Sequence, residues 1–280
     1  ILALGAIMGM AAPPVNIPAM LIAGGVDMPY IGFEGPLLLL TIPGAIGVVL
    51  ALGYKYARKM DRDTVLTSLN TDIAKQYGVK IYLPLALLVV LLVLTRALPG
   101  TVPNLGMPLI FAICSVAAMF TGRKFKALET VRDAIHTTIP VLGKLVGVGM
   151  FIQVMTLTGV RGYIVINCLS LGPVLLYLAI CLAMPAFGAV SSYGAASVLG
   201  VPFLLALLAS GNQIVIAAAL SFICCLGDLM PPTALAGNYA ARIVELKYSR
   251  VLVHCIAPFV LLVLFGLVLL LWPNAFAFLV

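Results

Sequence analysis

The 280-residue chain is too apolar for a soluble globular protein: 63% of its residues are hydrophobic and 9% are charged, against roughly 45–50% and about 25% in soluble domains. Its net charge of +7 does not indicate nucleic-acid binding, because the basic residues fall in short loops between apolar segments, where membrane proteins carry orientation signals. The apolar stretches are about 20 residues long, which is enough to cross a bilayer, and they lack the alternation of a β-barrel. We therefore expect an all-α integral membrane protein with the lipid bilayer as its environment.

The predicted elements alternate between clean spans and apolar segments that proline, glycine or polar residues interrupt. The clean spans are predicted at 35–54, 81–98, 105–121 and 250–272. The interrupted segments, predicted to be broken helices, are 1–23, 173–209 and 212–241.

Two further segments precede the second broken helix. Residues 122–136 are basic and carry apolar residues at helical spacing, which is typical of an amphipathic arm helix in the membrane interface; a solvated loop helix is the alternative. Residues 138–171 are moderately apolar and interrupted around Gly159 and Gly162. This pattern favours a hairpin that enters the membrane and returns.

The basic residues predict an orientation. If the loop at 55–80 is cytoplasmic and 138–171 is re-entrant, every basic loop lies inside, as the positive-inside rule requires. A single span over 138–171 would instead place the basic loop at 242–250 outside. The loops predicted outside contain no Lys or Arg: 24–34, 99–104 and 210–212.

Two proline pairs have matching surroundings, GMAAPPVNIPA at 9–19 and GDLMPPTALAGN at 227–238. Each pair precedes a small or polar half-segment, a loop and a clean span, and the predicted orientation makes the two spans run in opposite directions. This arrangement predicts the inverted repeats of a transporter, with chance as the alternative. The predicted parts are the C-terminal part of a first repeat (1–62), a cytoplasmic linker (63–80) and a second repeat (81–280). Near-equal repeats would place roughly 140–160 further residues before Ile1.

Residues at the predicted breaks are candidates for binding a cation. In hydrocarbon a break needs protein, water or a ligand to satisfy its freed carbonyls, and hydroxyl and carbonyl oxygens suit a hard cation such as sodium. Asp228 adds an intramembrane acid, which is functional by default. The predicted cation-binding residues are Ser191, Ser192, Asp228, Thr233 and Asn16. The predicted helix breaks are Pro13, Pro14, Gly188, Pro231 and Pro232.

Three residues are predicted to meet the substrate. Arg161, near mid-depth, suits a carboxylate, and Thr158 and Asn238 are predicted to line the cavity. Structural alternatives exist throughout: the prolines only kink a helix, the serines allow close packing, and Arg161 snorkels. Asp228 has the alternative of an ion pair with Lys144 or Arg161.

Three stretches resemble the large membrane subunit of TRAP transporters, in the broader ion-transporter superfamily. Residues 3–59, with the first Pro–Pro motif, resemble its middle; 121–151 resemble its second arm helix and hairpin; 221–265, with the second Pro–Pro motif, resemble its last two helices. The resemblance implies an elevator-type carrier in the bacterial inner membrane that uses a sodium gradient to import organic acids, often C4-dicarboxylates or sialic acid. It also implies two partners, a small four-helix membrane subunit and a periplasmic substrate-binding protein. Asp228 departs from the family pattern and leaves a proton as the second candidate for the coupling ion.

Other functions are less favoured. A stand-alone organic-anion carrier of the same superfamily is the main alternative. An enzyme is disfavoured because no HExxH, no GxSxG and no pair of intramembrane acids occurs, and the six cysteines lack metal-ligand spacing. A channel is disfavoured because paired broken helices favour alternating access. No cofactor is expected other than the coupling ion.

Overall fold

A computed structural model describes residues 1–30, 32–54, 58, 78–97, 106–121, 125–191, 194–232 and 234–280; within these ranges the side chains of 96, 97, 107, 140, 141, 144, 145, 148, 152, 161, 165 and 169 lie outside the description. All regular structure in the described residues is helical. The helices are α1 (Leu2–Ala11), α2 (Ile17–Gly24), α3 (Glu34–Val48), α4 (Leu83–Ala97), α5 (Gly106–Ala118), α6 (Ala127–Leu157), α7 (Val160–Ser170), α8 (Pro173–Ser191), α9 (Val201–Ala206), α10 (Gln213–Leu226), α11 (Leu235–Ile243) and α12 (Tyr248–Leu271).

Short turns of tighter or wider helix extend several of these elements. The π-helical turns are Val49–Gly53, which continues α3, and Ala196–Gly200, which leads into α9. The 3-10 turns are Gly78–Tyr82, Leu208–Ser210, Gly227–Leu229 and Pro273–Leu279.

Four helical segments of the described chain are long and apolar enough to cross a membrane. They are Glu34–Gly53, Gly78–Thr95, Pro173–Ser191 and Tyr248–Leu271. The bent pair Gly149–Leu157 and Gly162–Cys168, whose axes differ by 72°, makes a fifth if it is counted as one span. The chain therefore has the architecture of an all-α, multi-pass membrane protein.

The chain divides into two compact units, Ile1–Tyr56 with Val141–Val280, and Ala57–Pro140. In the second unit α4 packs on α5 around Leu88, Ile110 and Cys114. In the first unit α10 is the central helix: every residue from Val215 to Leu226 is buried. Helices that contact it are α1, α2, α3, α8, α9 and α12.

The predicted arm helix and the first limb of the predicted hairpin are one helix, α6. No break separates them because the polar residues at the predicted boundary are satisfied inside the helix. The hydroxyls of Thr137 and Thr138 donate to the carbonyls of Asp133 and Ala134, at 2.8 and 2.7 Å. Helix α6 ends at Leu157, and Gly159, before α7, has φ +77, a left-handed conformation that favours glycine. The bend between α6 and α7 follows from this residue.

The prediction that Gly188 breaks a helix is wrong. Helix α8 continues through Pro185 and Gly188 and ends at Ser191. Gly188 has a packing role: a Cβ built on it would lie 2.9 Å from the carbonyl oxygen of Cys224. Only a residue without a side chain fits at this distance, so the glycine allows α8 to approach the end of α10.

The loops of the first unit meet in two groups, one at each end of α3 and α12. At one end the amide of Asn212 donates to Asn274 Oδ1 at 3.1 Å, and Gly35 lies against the backbone of Leu279. At the other end Leu52 and Arg250 line one cavity. The two long helices α3 and α12 join these ends.

Candidate functional site

Both Pro–Pro pairs lie in non-helical segments that separate two helices. The first segment separates α1 from α2, and the second, after the 3-10 turn Gly227–Leu229, separates α10 from α11. The Pro13–Pro14 and Pro231–Pro232 peptide bonds are both cis. We use the term broken helices for these two pairs, α1–α2 and α10–α11, each with the non-helical segment between its members.

Asn16 holds the first break together. Its Oδ1 accepts the amide of Ala19 at 2.9 Å and so caps α2, as asparagine does at helix N-termini. Its Nδ2 donates to the carbonyl of Ala11 at 2.9 Å, at the end of α1. Because the side chain is fully buried, these bonds satisfy groups that water does not reach.

Tyr30 completes the support of this break. Its hydroxyl accepts the backbone amide of Asn16 at 3.1 Å, and its ring stacks on Phe33 with centroids 5.3 Å apart. Burial raises the pKa of Tyr30, so the hydroxyl stays protonated at neutral pH. The loop between α2 and α3 is thereby tied to the break.

Tyr248 supports the second break in a comparable way. Its hydroxyl donates to the carbonyl of Leu229 at 2.7 Å. Leu229 stands two residues before Pro231, and Ala11 stands two residues before Pro13. In both breaks a side-chain donor thus satisfies the carbonyl at the same place before the proline pair, as the low dielectric of the membrane requires.

The two broken helices run antiparallel, and the first break lies against the middle of α10. Asn16 Nδ2, at the start of α2, lies 3.4 Å from Ser221 Oγ in the middle of α10. Farther along the chain, a Cβ built on Gly32 would lie 3.3 Å from Ile214 Cδ1, at the start of α10. The chain from α2 onward therefore runs in the direction opposite to that of α10.

The other halves of the two broken helices, α1 and α11, are antiparallel to each other as well. Ile1 and Leu2, at the start of α1, line a cavity together with Ala240 and Val244, at the end of α11. The long helices that follow the breaks are antiparallel too, because Gly44 of α3 lies against Leu262 of α12, whereas Leu52 lies near Arg250.

The end of α8 and the π-helical turn Ala196–Gly200 lie beside the second break. Helix α8 ends at Ser191, whose hydroxyl donates to the carbonyl of Phe187 at 3.0 Å. The π-helical turn Ala196–Gly200 then packs against both α2 and α10. Ser197 of this turn is buried. The π-helical turn Ala196–Gly200 therefore adjoins both broken helices.

Asp228 lies in the 3-10 turn at the end of α10 and is only 4% exposed. This turn contacts α1, α8 and α11. The carboxyl group is thus buried where the end of α8 and both broken helices approach one another. A buried carboxyl group of this kind is costly in a membrane and most often has a functional role.

The remaining predicted residues fall in several places. Thr158 is exposed at the end of α6 and donates its hydroxyl to the carbonyl of Val154 at 2.8 Å. Asn238 is half-buried in α11. Arg161 lies in α7, but its side chain is outside the described residues, and so are Ser192 and Thr233. Asn16 therefore lies at the first break, Asp228 lies just before the second with the end of α8 and Ser191 beside its turn, and Thr158 lies on a different element.

Sequence reasoning missed Ser221, Gly227 and Tyr248. Ser221 is a single hydroxyl within an apolar helix, and its partner Asn16 is 205 residues away, so no local pattern marks it. Gly227 follows the helix end, where glycine is common. Among the described residues, no three His, Cys, Asp or Glu side chains lie close enough to hold a metal ion.

Comparison with known proteins returns no match: no family model, no curated protein and no solved structure is similar to this chain.

Proposed function

We propose that this chain is the membrane permease of a secondary transporter that takes up a small organic anion, a C4-dicarboxylate or similar carboxylate, with sodium as the coupling ion. The observation that carries the proposal is the antiparallel packing of α1–α2 and α10–α11, with the end of α8 and the π-helical turn Ala196–Gly200 beside it. Broken helices in inverted orientation form the central binding sites of secondary transporters. An interrupted helix persists in hydrocarbon only where protein or a ligand satisfies its backbone.

In this proposal the two repeats form the site together. Ser191 and Asp228 supply oxygen ligands for the cation, with Ser192 and Thr233 from the neighbouring segments. The bonds that Asn16 makes to both half-helices support a positioning role for it as well. The bound cation balances the negative charge of Asp228 and prepares a nearby site for the substrate. At that site Arg161 supplies the positive charge that binds the substrate carboxylate.

The resemblance to the TRAP family supports the rest of the assembly. The chain serves as the large membrane subunit in a bacterial inner membrane, with a small four-helix subunit and a periplasmic substrate-binding protein as its partners. Neighbouring genes test this assignment: genes for both partners beside this one support it, whereas their absence favours a stand-alone carrier.

A proton is the second candidate for the coupling ion, because Asp228 is an acidic side chain buried beside the breaks. A carrier that uses this group would release the proton on the cytoplasmic side together with the substrate.

Uptake into proteoliposomes tests the proposal. The protein, with any co-encoded membrane subunit, is reconstituted, the binding protein is added outside, and entry of radiolabelled succinate is followed. We expect uptake with an inward sodium gradient and none with an inward proton gradient alone. The reverse result makes the proton the coupling ion. The transporter assignment is wrong if none of a panel of carboxylates enters under either gradient while the reconstituted protein keeps its fold.

A further inference from the structure

Two cavities of about 500 and 410 Å3 follow one another along α12, and together they are called the groove. The first lies between the start of α1, the end of α11 and the start of α12, and the second lies between α3 and α12; Leu52 lines both. The walls of the second cavity are entirely apolar, whereas the first cavity has Arg250 and His254 among its lining residues. The groove is therefore apolar along its length and cationic at one end.

One face of α12 forms the floor of this groove. Its residues recur at helical spacing from Arg250 to Phe265, a separation that corresponds to about 22 Å of helix. Half of a bilayer with its head groups is about 20–22 Å thick. The groove thus has the length of one phospholipid molecule in one leaflet.

The wall of the groove that α3 forms explains why the protein leaves the groove unfilled. The residues of α3 that line the groove include Pro43, Gly47 and Ala51. A Cβ built on Gly47 would meet nothing within 4 Å. These small side chains leave the space between the two helices unfilled, and Leu261 and Phe265 of α12 border it.

The charged end fits a phosphate group. Arg250 and His254 are one helical turn apart, and both are exposed. His254 Nδ1 is 2.8 Å from the carbonyl of Arg250, so Nε2 is the nitrogen that faces outward. Among the described residues that line the two cavities, none is acidic. A guanidinium group forms paired hydrogen bonds with a phosphate, and basic pockets on the cytoplasmic side of membrane helices bind anionic head groups.

We infer that this groove binds an anionic phospholipid of the cytoplasmic leaflet. The phosphate lies at Arg250 and His254, and one acyl chain lies along α3 and α12 as far as Phe265. The inference concerns a site other than the breaks and is independent of the proposed transport function.

Native mass spectrometry of the detergent-solubilised protein tests the inference. The full chain, with any co-encoded membrane subunit, is titrated with phosphatidylglycerol and, separately, with phosphatidylcholine that has the same acyl chains. We expect the first phosphatidylglycerol to bind roughly tenfold more tightly than phosphatidylcholine, the scale of one charge-assisted contact. Equal affinities for the two lipids would overturn the inference, as would a polypeptide segment that fills the groove and leaves no lipid bound.

Three variants locate the site. Arg250→Gln should lower the affinity for phosphatidylglycerol to that for phosphatidylcholine, whereas Lys247→Gln, which removes a base outside the cavities, should leave the preference intact. Gly47→Phe fills the groove and should lower the binding of both lipids about tenfold. Equal losses in Arg250→Gln and Lys247→Gln would contradict a specific site, and so would unchanged binding in Gly47→Phe. Size-exclusion chromatography verifies the fold, and the comparison of the two lipids on the unaltered protein needs no variant.

Discussion

Gly188 of α8 and Gly227 at the end of α10 touch backbone to backbone. A Cβ built on Gly227 would lie 2.8 Å from Gly188 Cα and 2.6 Å from the carbonyl oxygen of Pro185. No side chain fits in that space. This contact fixes the end of α8, with Ser191, beside the turn that carries Asp228.

Replacing Gly227 should therefore destabilise the fold. We expect Gly227→Ala to lower the free energy of unfolding by about 1–3 kcal/mol, because an added methyl group in a tightly packed contact forces the backbones apart. Thermal unfolding of the detergent-solubilised protein measures the effect.

Gly147→Ala is the matched control for this change. A Cβ at Gly147 of α6 meets nothing within 4 Å, and alanine is the better helix former by roughly 0.5–1 kcal/mol. The control should leave stability unchanged or slightly raised. A Gly227→Ala protein as stable as this control would show that α8 and α10 are not in close contact.

The hydroxyl of Tyr248 should contribute to the stability of the second break. Tyr248→Phe keeps the ring but removes the donor to the carbonyl of Leu229, and a buried carbonyl that loses its donor costs about 1–3 kcal/mol. Tyr239→Phe is the control, because Tyr239 is 64% exposed. Chemical unfolding compares the two. Equal stability of both variants would mean that another group satisfies Leu229.

Part of this architecture was predictable because prolines and hydropathy act locally. Pro13 and Pro231 each remove a backbone donor and prevent a continuous helix, so the broken segments are visible in the sequence, as are spans such as 250–272. The role of Gly188 was not predictable from the sequence. Glycine occurs both where a helix unwinds and where two helices pack closely, and only the position of Gly227, at the end of α10, shows that Gly188 serves close packing.

The site was predictable to a smaller extent. The sequence marks Asn16 as a polar residue after a proline pair, but its bonds to Ala11 and Ala19 follow from the path of the chain through the break. Its approach to Ser221 depends on the crossing of two helices far apart in sequence. No local pattern contains such a contact, because it results from packing of the whole unit.

The two groups of loops should be accessible from opposite sides of the membrane. Asp27 and Ala275 lie at one end of the unit and Ser249 lies at the other, and all three residues are exposed. Each is replaced by cysteine in a separate variant: Asp27→Cys, Ala275→Cys and Ser249→Cys. The basic residues around Ser249 predict that it faces the cytoplasm. A membrane-impermeant maleimide added to intact cells should label the first two positions and should label Ser249→Cys only after permeabilisation. The native cysteines, which are buried or half-buried, provide the background, and labelling of all three from outside would contradict the arrangement.

Neutralising Asp228 should uncouple transport from the cation. Asp228→Asn has nearly the same shape, so the buried turn keeps its packing while the site loses a negative charge. We expect coupled uptake to fall at least about tenfold and its dependence on the driving cation to flatten, since contacts to charged groups contribute about 1.5–3 kcal/mol and each 1.4 kcal/mol corresponds to a tenfold change. Initial uptake rates in proteoliposomes across a range of sodium concentrations, repeated with an imposed proton gradient, give the measurement.

Asp27→Asn provides the matched control for this substitution. Asp27 is exposed and has φ +55, a conformation that asparagine tolerates well, so the same change in charge should leave uptake and its ion dependence intact. If Asp228→Asn behaves like this control, the carboxyl group has no part in coupling, and the cation must be held by neutral oxygens at the breaks. If only the response to the proton gradient disappears in Asp228→Asn, the group carries the proton itself. The pair of variants thus distinguishes a ligand of the cation from a carrier of the proton, because both lose the same charge and only one of them lies where the broken helices meet.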